Sequence, residues 1–330
     1  MASTLPSRGM QGYAGGILAG LVSALLFGFG FSQAGSIFFM LSTFAAVPLF
    51  IAGLGAGLSS ALTASVTGVA SLAFTLPSNI ALFYLVAFGL PAAVLASLAL
   101  RQEKNAEGRT EWYSGSNILV AVVIYPCLAF LAAFAAAIDK EGGLLGRSKA
   151  MFAASTTAFR EQFQTDRPDL VPVFDKMVEE FPRLLPSVLG SAWAMIIALS
   201  IVVAQATLKQ QKWNLRPGFD LGEIRLPAWL LAITAAAGLA DLFAPEPYDY
   251  LGLNIWIMLT LGFFIVGVAI VHRWAATKRW GKWALVLYYV LLAVPYGWTA
   301  TPPTLLTLFL GFTDQWIDFR RRFAGQKQGG

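Results

Sequence analysis

The sequence predicts an all-α polytopic transmembrane helical bundle of about ten spans, with both termini in the cytoplasm and an external amphipathic helical segment. Three observations carry this reading. Hydrophobic residues make up 57% of the 330-residue chain and charged residues only 12%, whereas a soluble chain is about one quarter charged. The apolar residues lie in continuous runs near the roughly 20 residues that a spanning helix needs. They do not alternate, which excludes a closed β-barrel. Finally, Lys and Arg fall in alternate gaps between the runs. Arg8 precedes the first run. Arg101, Lys104 and Arg109 follow the fourth, and Lys209, Lys212, Arg216 and Arg225 the sixth. Arg273, Lys278, Arg279 and Lys282 follow the eighth, and Arg320, Arg321, Arg322 and Lys327 end the chain. The short gaps on the other side hold no base, and basic loops stay cytoplasmic. The net charge of +5 is therefore an orientation device with some attraction for anionic lipid. It is not a nucleic-acid signal.

Spans are expected near 13–31, 36–52, 56–76, 79–100, 117–138, 186–207, 227–243, 252–271, 283–298 and 303–318. Residues 1–330 read as one integral membrane domain. Within it, 1–100 is a compact four-span block, 139–185 the external amphipathic segment, and 186–330 a second set of spans with basic cytoplasmic loops. In the first span Gly12, Gly16, Gly20, Ala24 and Gly28 recur every fourth residue. They line one helix face where another helix can approach closely. Arg8, the apolar run and Ser32-Gln33-Ala34 also have the order of a cleavable leader. A disposable segment has no use for a small-residue face, so a retained span is expected.

Gly53, Gly55 and Gly57 make the second turn, and Leu76-Pro77-Ser78-Asn79 the third. Such short connections force antiparallel neighbours. Pro48 and Pro91 fall inside spans and are expected to kink them. Segment 101–116 is polar and reads as a solvated linker. Segment 139–185 holds seven basic and eight acidic residues, so it is near neutral. Phe152, Phe159 and Phe163 share one helical face there, and Leu170, Phe174, Met177, Phe181 and Leu184 another. This predicts two amphipathic helices broken near Arg167-Pro168. They either lie on the membrane surface or bundle, or form a lid over an external cavity. Leu226-Pro227-Ala228-Trp229 opens the seventh span, with Pro at a helix start and Trp at the interface.

Candidate chemistry is sparse. The gap after the seventh span holds Asp241, Glu246 and Asp249 and no base. Asp241 precedes the end of the apolar run, so it either binds a cation or cationic substrate, relays protons, or reaches the outer headgroups. Asn254 and Trp256 open the eighth span. The Asn can bind across helices, and the Trp can anchor at the interface or line a ligand site. His272 and Cys127 are the single His and Cys of the chain, so metal clusters and Ser-His-Asp arrangements have no partners. No cofactor or metal is expected, and an enzyme is the weakest reading. Gly53-Leu54-Gly55-Ala56-Gly57 lacks the strand and Lys of a phosphate loop, so any active transport draws on a gradient or another subunit. In the tail, Asp314, Asp318 and Arg322 share a helix face. With Trp316, Arg320 and Arg321 they form either a membrane anchor or a docking site for a cytoplasmic partner.

The small-residue first span, Leu226-Pro227-Ala228-Trp229, Asn254 with Trp256, and Leu310-Gly311-Phe312-Thr313-Asp314-Gln315-Trp316-Ile317-Asp318-Phe319-Arg320 together resemble the YybS-like family. That family comprises bacterial multi-pass membrane proteins of unknown function. The resemblance implies a bacterial inner-membrane location. More distantly, it implies similarity to the substrate-binding subunits of energy-coupling-factor transporters. Those subunits meet a membrane coupling subunit through small residues of the first helix, the role that Gly12 to Gly28 would take here. They usually have fewer spans than the ten expected of this chain, and no vitamin-binding motif is present. The expected function is thus transport-associated, with Asp241, Asn254 and Trp256 as ligand-binding candidates and another membrane subunit as partner. A scaffold that docks cytoplasmic proteins through its basic loops and Arg-rich tail is the alternative.

Overall fold

The computed structural model describes residues 8–33, 37–104, 107–219, 224–293 and 302–317. The chain divides into two compact units, one of residues 1–122 and 193–224 and one of residues 123–192 and 225–330. Among the described residues seven helical stretches are long and apolar enough to cross a membrane, against the ten expected.

The first unit opens with α1 (Arg8–Ser32). Gly12, Gly16, Gly20 and Ala24 are buried, while Ile17, Leu21 and Leu25, one position further on, are exposed as a lipid-facing surface requires. The expected second span is split into a 3-10 helix, Ile37–Phe44, and α2 (Ala46–Ala56). Pro48 therefore sits in the first turn of α2, where a missing N–H costs nothing, and it begins a helix instead of kinking one. Helix α3 (Leu58–Thr75) follows. Its Ser60 and Ala64 meet the α1 ladder, and Ser60 Oγ donates to the Gly12 carbonyl at 2.9 Å. A Cβ on Gly16 would come within 2.7 Å of the Ser60 carbonyl, and one on Gly20 would collide with that of Ala64. The small-residue face predicted in the first span is thus filled by α3 of the same chain.

The fourth span contains α4 (Ser78–Tyr84), a π-helical turn over Leu85–Gly89, and α5 (Leu90–Ala99). Pro91 accounts for the π turn. It has no N–H for the Ala87 carbonyl four residues earlier, and its ring crowds that carbonyl. Trp193 Nε1 donates to the Ala87 oxygen at 2.6 Å, and Ser65 Oγ to the Gly89 oxygen at 3.0 Å. Tyr84 is fully buried among Phe27 and Phe88. Its hydroxyl meets Ser23 Oγ at 2.6 Å, and that Oγ caps the Ala45 carbonyl at 2.5 Å.

The expected linker at 101–116 contains two short antiparallel strands, β1 (Gln102–Lys104) and β2 (Thr110–Trp112), with Glu103 opposite Glu111. Gly108, at φ 75°, makes the reversal. The basic loop after the sixth span is also more ordered than a solvated charge run. Arg216 is 6% exposed. It donates to the carbonyls of Ala99 at 2.8 Å and Tyr113 at 3.3 Å, and it stacks over Phe219 at 4.1 Å. Its position at the carbonyl end of α5 suits a cation, although burial pushes its guanidinium below the ordinary range.

Helix α6 (Gly115–Ala137) carries Pro126 and leads to α7 (Gly143–Asp166). The chain breaks at Arg167 and passes through a 3-10 turn, Pro168–Leu170, into α8 (Val171–Gln211). The amphipathic faces of the two helices pack on each other. Phe152 meets Phe181 at 5.1 Å and Phe163 meets Phe174 at 5.3 Å, and Arg160 Nε donates to Asp175 at 2.6 Å. No boundary separates the second amphipathic stretch from the sixth span, because α8 is one helix of 41 residues.

Helices α9 (Ala228–Phe243) and α10 (Tyr248–Ala275) are antiparallel neighbours. Helices α11 (Gly281–Ala293) and α12 (Pro302–Ile317) complete the described chain. At 16, 13 and 16 residues, α9, α11 and α12 fall short of the roughly 20 that a straight crossing needs. Helix α12 packs on α10 through glycines: Gly311 lies on the Phe263 carbonyl and Gly267 on that of Thr307, with Phe263 and Phe312 stacked at 4.2 Å. Residue numbers that rise on one helix and fall on the other make this pair antiparallel. The eighth and tenth spans were expected to run in the same direction, whereas α10 and α12 run in opposite directions.

Substituting Gly20→Val should destabilise the protein by about 1–3 kcal/mol through overpacking, lowering its thermal midpoint in detergent. Gly15, on the same helix, faces open space, and a methyl added there would meet no atom within 4 Å. Gly15→Ala should be neutral or stabilising by roughly 0.5–1 kcal/mol. Equal behaviour of the two variants would refute the close α1–α3 approach.

Candidate functional site

The candidate site belongs to the second unit and is built from the ends of α8, α9 and α10. Asp249 lies in the first turn of α10, where free N–H groups favour a carboxylate. Asp241 lies in the last turn of α9, where the carbonyl ends disfavour one. A cation between them offsets that disadvantage. Arg183, on α8, donates from Nη2 to Asp249 Oδ2 at 2.8 Å and stands 3.9 Å from Asp241 Oδ1. The second Asp249 oxygen accepts the Tyr250 N–H at 2.7 Å. Gly252 permits this convergence. A Cβ there would approach the Asp241 nitrogen to 2.6 Å and the Ala237 carbonyl to 2.7 Å, so any larger residue would drive α9 and α10 apart.

One turn deeper, Asn254 is completely buried. Its Oδ1 accepts the Ser187 N–H at 2.9 Å, and its Nδ2 donates to the Arg183 carbonyl at 3.0 Å and to the Tyr250 carbonyl at 2.9 Å. A regular helix joins residue i to i−4, which here would link Ser187 directly to Arg183. The Asn254 amide inserts between these two groups beside Pro186, and a side chain entering the ladder bends a helix. Arg183 is therefore held at both ends, its carbonyl by Asn254 and its guanidinium by the two aspartates.

A cavity of about 120 Å³ opens beside this cluster. Its walls include Phe134, Leu144, Arg183, Glu246, Asp249 and Tyr250. The first turn of α7, entered through left-handed Gly142 and Gly143 at φ 70° and 57°, contributes to the lining. The arrangement offers carboxylates, one engaged guanidinium and aromatic walls. Among the described residues no group of three His, Cys, Asp or Glu side chains converges as a metal site would need.

The ligand-binding candidates separate accordingly. Asp241 stands in the charged cluster. Asn254 lies beneath it, with both amide hydrogens committed to backbone carbonyls. Trp256 lies against α9, where a Cβ on Gly238 would be 3.2 Å from its ring. Arg183 and Tyr250 were missed. Arg183 is distant in sequence from the acidic gap, and only its place one turn before Pro186 marks it as the base nearest the sixth apolar run on its N-terminal side. In the tail, Asp314 is 6% exposed on α12. That burial suits neither a surface anchor nor a docking face, whereas Trp316 is exposed. Asp318, Arg320, Arg321 and Arg322 lie outside the described residues. His272 is engaged structurally, with Nδ1 at 2.9 Å from the Val268 carbonyl and Nε2 at 3.3 Å from the Tyr289 hydroxyl.

Replacing Asn254 by Leu keeps the branched shape but strands the Ser187 N–H and the Arg183 carbonyl. Each buried orphan costs about 1–3 kcal/mol, so a large fall in the thermal midpoint is expected. Arg183→Gln should destabilise the protein more than the double variant Arg183→Gln/Asp249→Asn, since the single change leaves unpaired carboxylates. Additive effects in this double-mutant cycle would remove the ion pair from the account.

No curated protein and no solved structure matches the chain. The family of predicted membrane proteins DUF2232 matches residues 21–315. That match covers most of the sequence, and it agrees with the long apolar helices of both units. The protein belongs to the DUF2232 family of predicted membrane proteins.

Proposed function

We propose that the protein is a transport-associated subunit of the bacterial inner membrane that holds a ligand at the Arg183–Asp249 end of its second unit. One observation carries the reading. A guanidinium and two carboxylates are gathered at the ends of three apolar helices, beside a cavity, and charge gathered among apolar helices is costly enough to mark a functional-site candidate. The first turn of α7 at the cavity wall favours the lid reading of the α7–α8 hairpin over helices that merely rest on lipid. The resemblance to YybS-like proteins, and through them to substrate-binding subunits of energy-coupling-factor transporters, supports the same conclusion. The α1 glycine ladder is occupied by α3, so a coupling subunit would dock on a different surface.

In this reading the N-terminus and the loop from Lys209 to Arg225 are cytoplasmic, and the Arg183 cluster faces outward. Orientation is checked by thiol labelling of single cysteines in a Cys127→Ala background. Glu246→Cys should react with an impermeant reagent in intact cells, and Leu215→Cys only after permeabilisation. The opposite pattern would invert the topology and set the site toward the cytoplasm. Purification in mild detergent from the native cells tests the modular form of transport. Stoichiometric recovery of an ATPase and a membrane coupling subunit is expected from it. Recovery of the protein alone would favour a self-contained carrier.

A further inference from the structure

We propose that the cavity beside Asp249 takes a small protonated amine, an inference that rests on reading the Arg183 end of the second unit as a ligand site. Charge is the first argument. Asp241, Glu246 and Asp249 face a single Arg183 at these helix ends. Arg183 is already engaged by Asp249 and Asp241, while Glu246 forms no ion pair among the described residues. An anionic ligand would meet carboxylates and a spent guanidinium. A cationic one lowers the excess of negative charge that Arg183 leaves uncompensated.

The second argument is independent of charge. Tyr250 is 2% exposed and lines the cavity. Its ring packs edge-on against Phe130 at 5.8 Å. Its hydroxyl is buried and makes no hydrogen bond, with Ser148 the neighbouring polar group. Buried hydroxyls are nearly always paired. A phenolic oxygen accepts readily from an ammonium N–H, and the aromatic walls of Phe134 and Tyr250 suit a cation.

Size and lining narrow the class. The volume of about 120 Å³ is somewhat below that of a cavity known to hold benzene, about 150 Å³. It fits a ligand of roughly four to six heavy atoms by the same comparison. Ile138, Leu144 and Leu145 give apolar contact that a bare metal ion could not use but a short alkyl chain would. The ammonium therefore belongs at Asp249, Glu246 and Tyr250, with the chain toward the leucines.

Butylammonium, 1-butanol and butyrate are the probes, titrated calorimetrically into purified full-length protein in detergent. Saturable binding of butylammonium alone is expected. Its Kd should rise at least tenfold in Asp249→Asn and several-fold in Tyr250→Phe and Glu246→Gln. Tyr250→Phe keeps the ring packing and Glu246 is exposed, so these two variants retain the fold even if Asp249→Asn does not. Butylammonium binding that is unchanged in both would overturn the proposed placement. Binding of butyrate or 1-butanol instead, lost in the same variants, would overturn the amine class and keep the ligand site. Binding of none of the three would overturn both.

Discussion

A backbone carbonyl that loses its helical donor within lipid has no water to replace it. This constraint is met visibly near two of the prolines in apolar helices. Pro91 frees the Ala87 carbonyl, and Trp193 supplies the missing N–H. Near Pro186, Asn254 holds apart and satisfies both Ser187 and Arg183. In each case the continuity of one helix is maintained by a side chain from another: α8 repairs the span of α4 and α5, and α10 repairs α8. The candidate site depends on the second repair, because the residue whose carbonyl Asn254 holds is the one whose guanidinium gathers Asp241 and Asp249.

Glycine sets the distances over which such repairs work. Helices in lipid gain little from hiding apolar side chains from one another, so they associate by close packing. Here α1 meets α3 at Gly16 and Gly20, α9 meets α10 at Gly252, and α10 meets α12 at Gly267 and Gly311. At each point the backbone of one helix lies almost against that of its neighbour. Gly252 has a further effect, since its approach to the Asp241 nitrogen brings the two aspartates within reach of one arginine.

The fold was legible where physics acts locally. Continuous apolarity located α1, α3, α6 and α10 closely, and the aromatic periodicity of 139–185 located a helical hairpin broken at Arg167. Apolarity alone could not show that α8 runs unbroken from the hairpin into the membrane. The expected division between segment 139–185 and the sixth span falls at Pro186, and the group that bridges the backbone there comes from Asn254, far along the chain. The same limit hid the site. Asp241 and Asn254 stood out as polar residues at the rim of apolar runs. Arg183 joins them only after folding, and the open hydrogen-bonding capacity of Tyr250 is a property of packing. The burial of Asp314 was also hidden, because a helix carrying Asp, Trp and Arg at its end reads as an anchor until the antiparallel packing of α12 on α10 is known.

The length of α8 has a mechanical consequence. Its 41 residues make a rod of about 60 Å, roughly twice the hydrocarbon thickness of a bilayer. That is longer than one upright crossing uses, and α7 packs along its N-terminal arm. At Pro186 the arm is joined to its root partly by side-chain bonds from α10 in place of its own ladder, which makes this the point of least bending resistance along it. Arg183 lies within one turn of that pivot and grips Asp249. Any bending of α8 at this point therefore works against the Arg183–Asp249 ion pair.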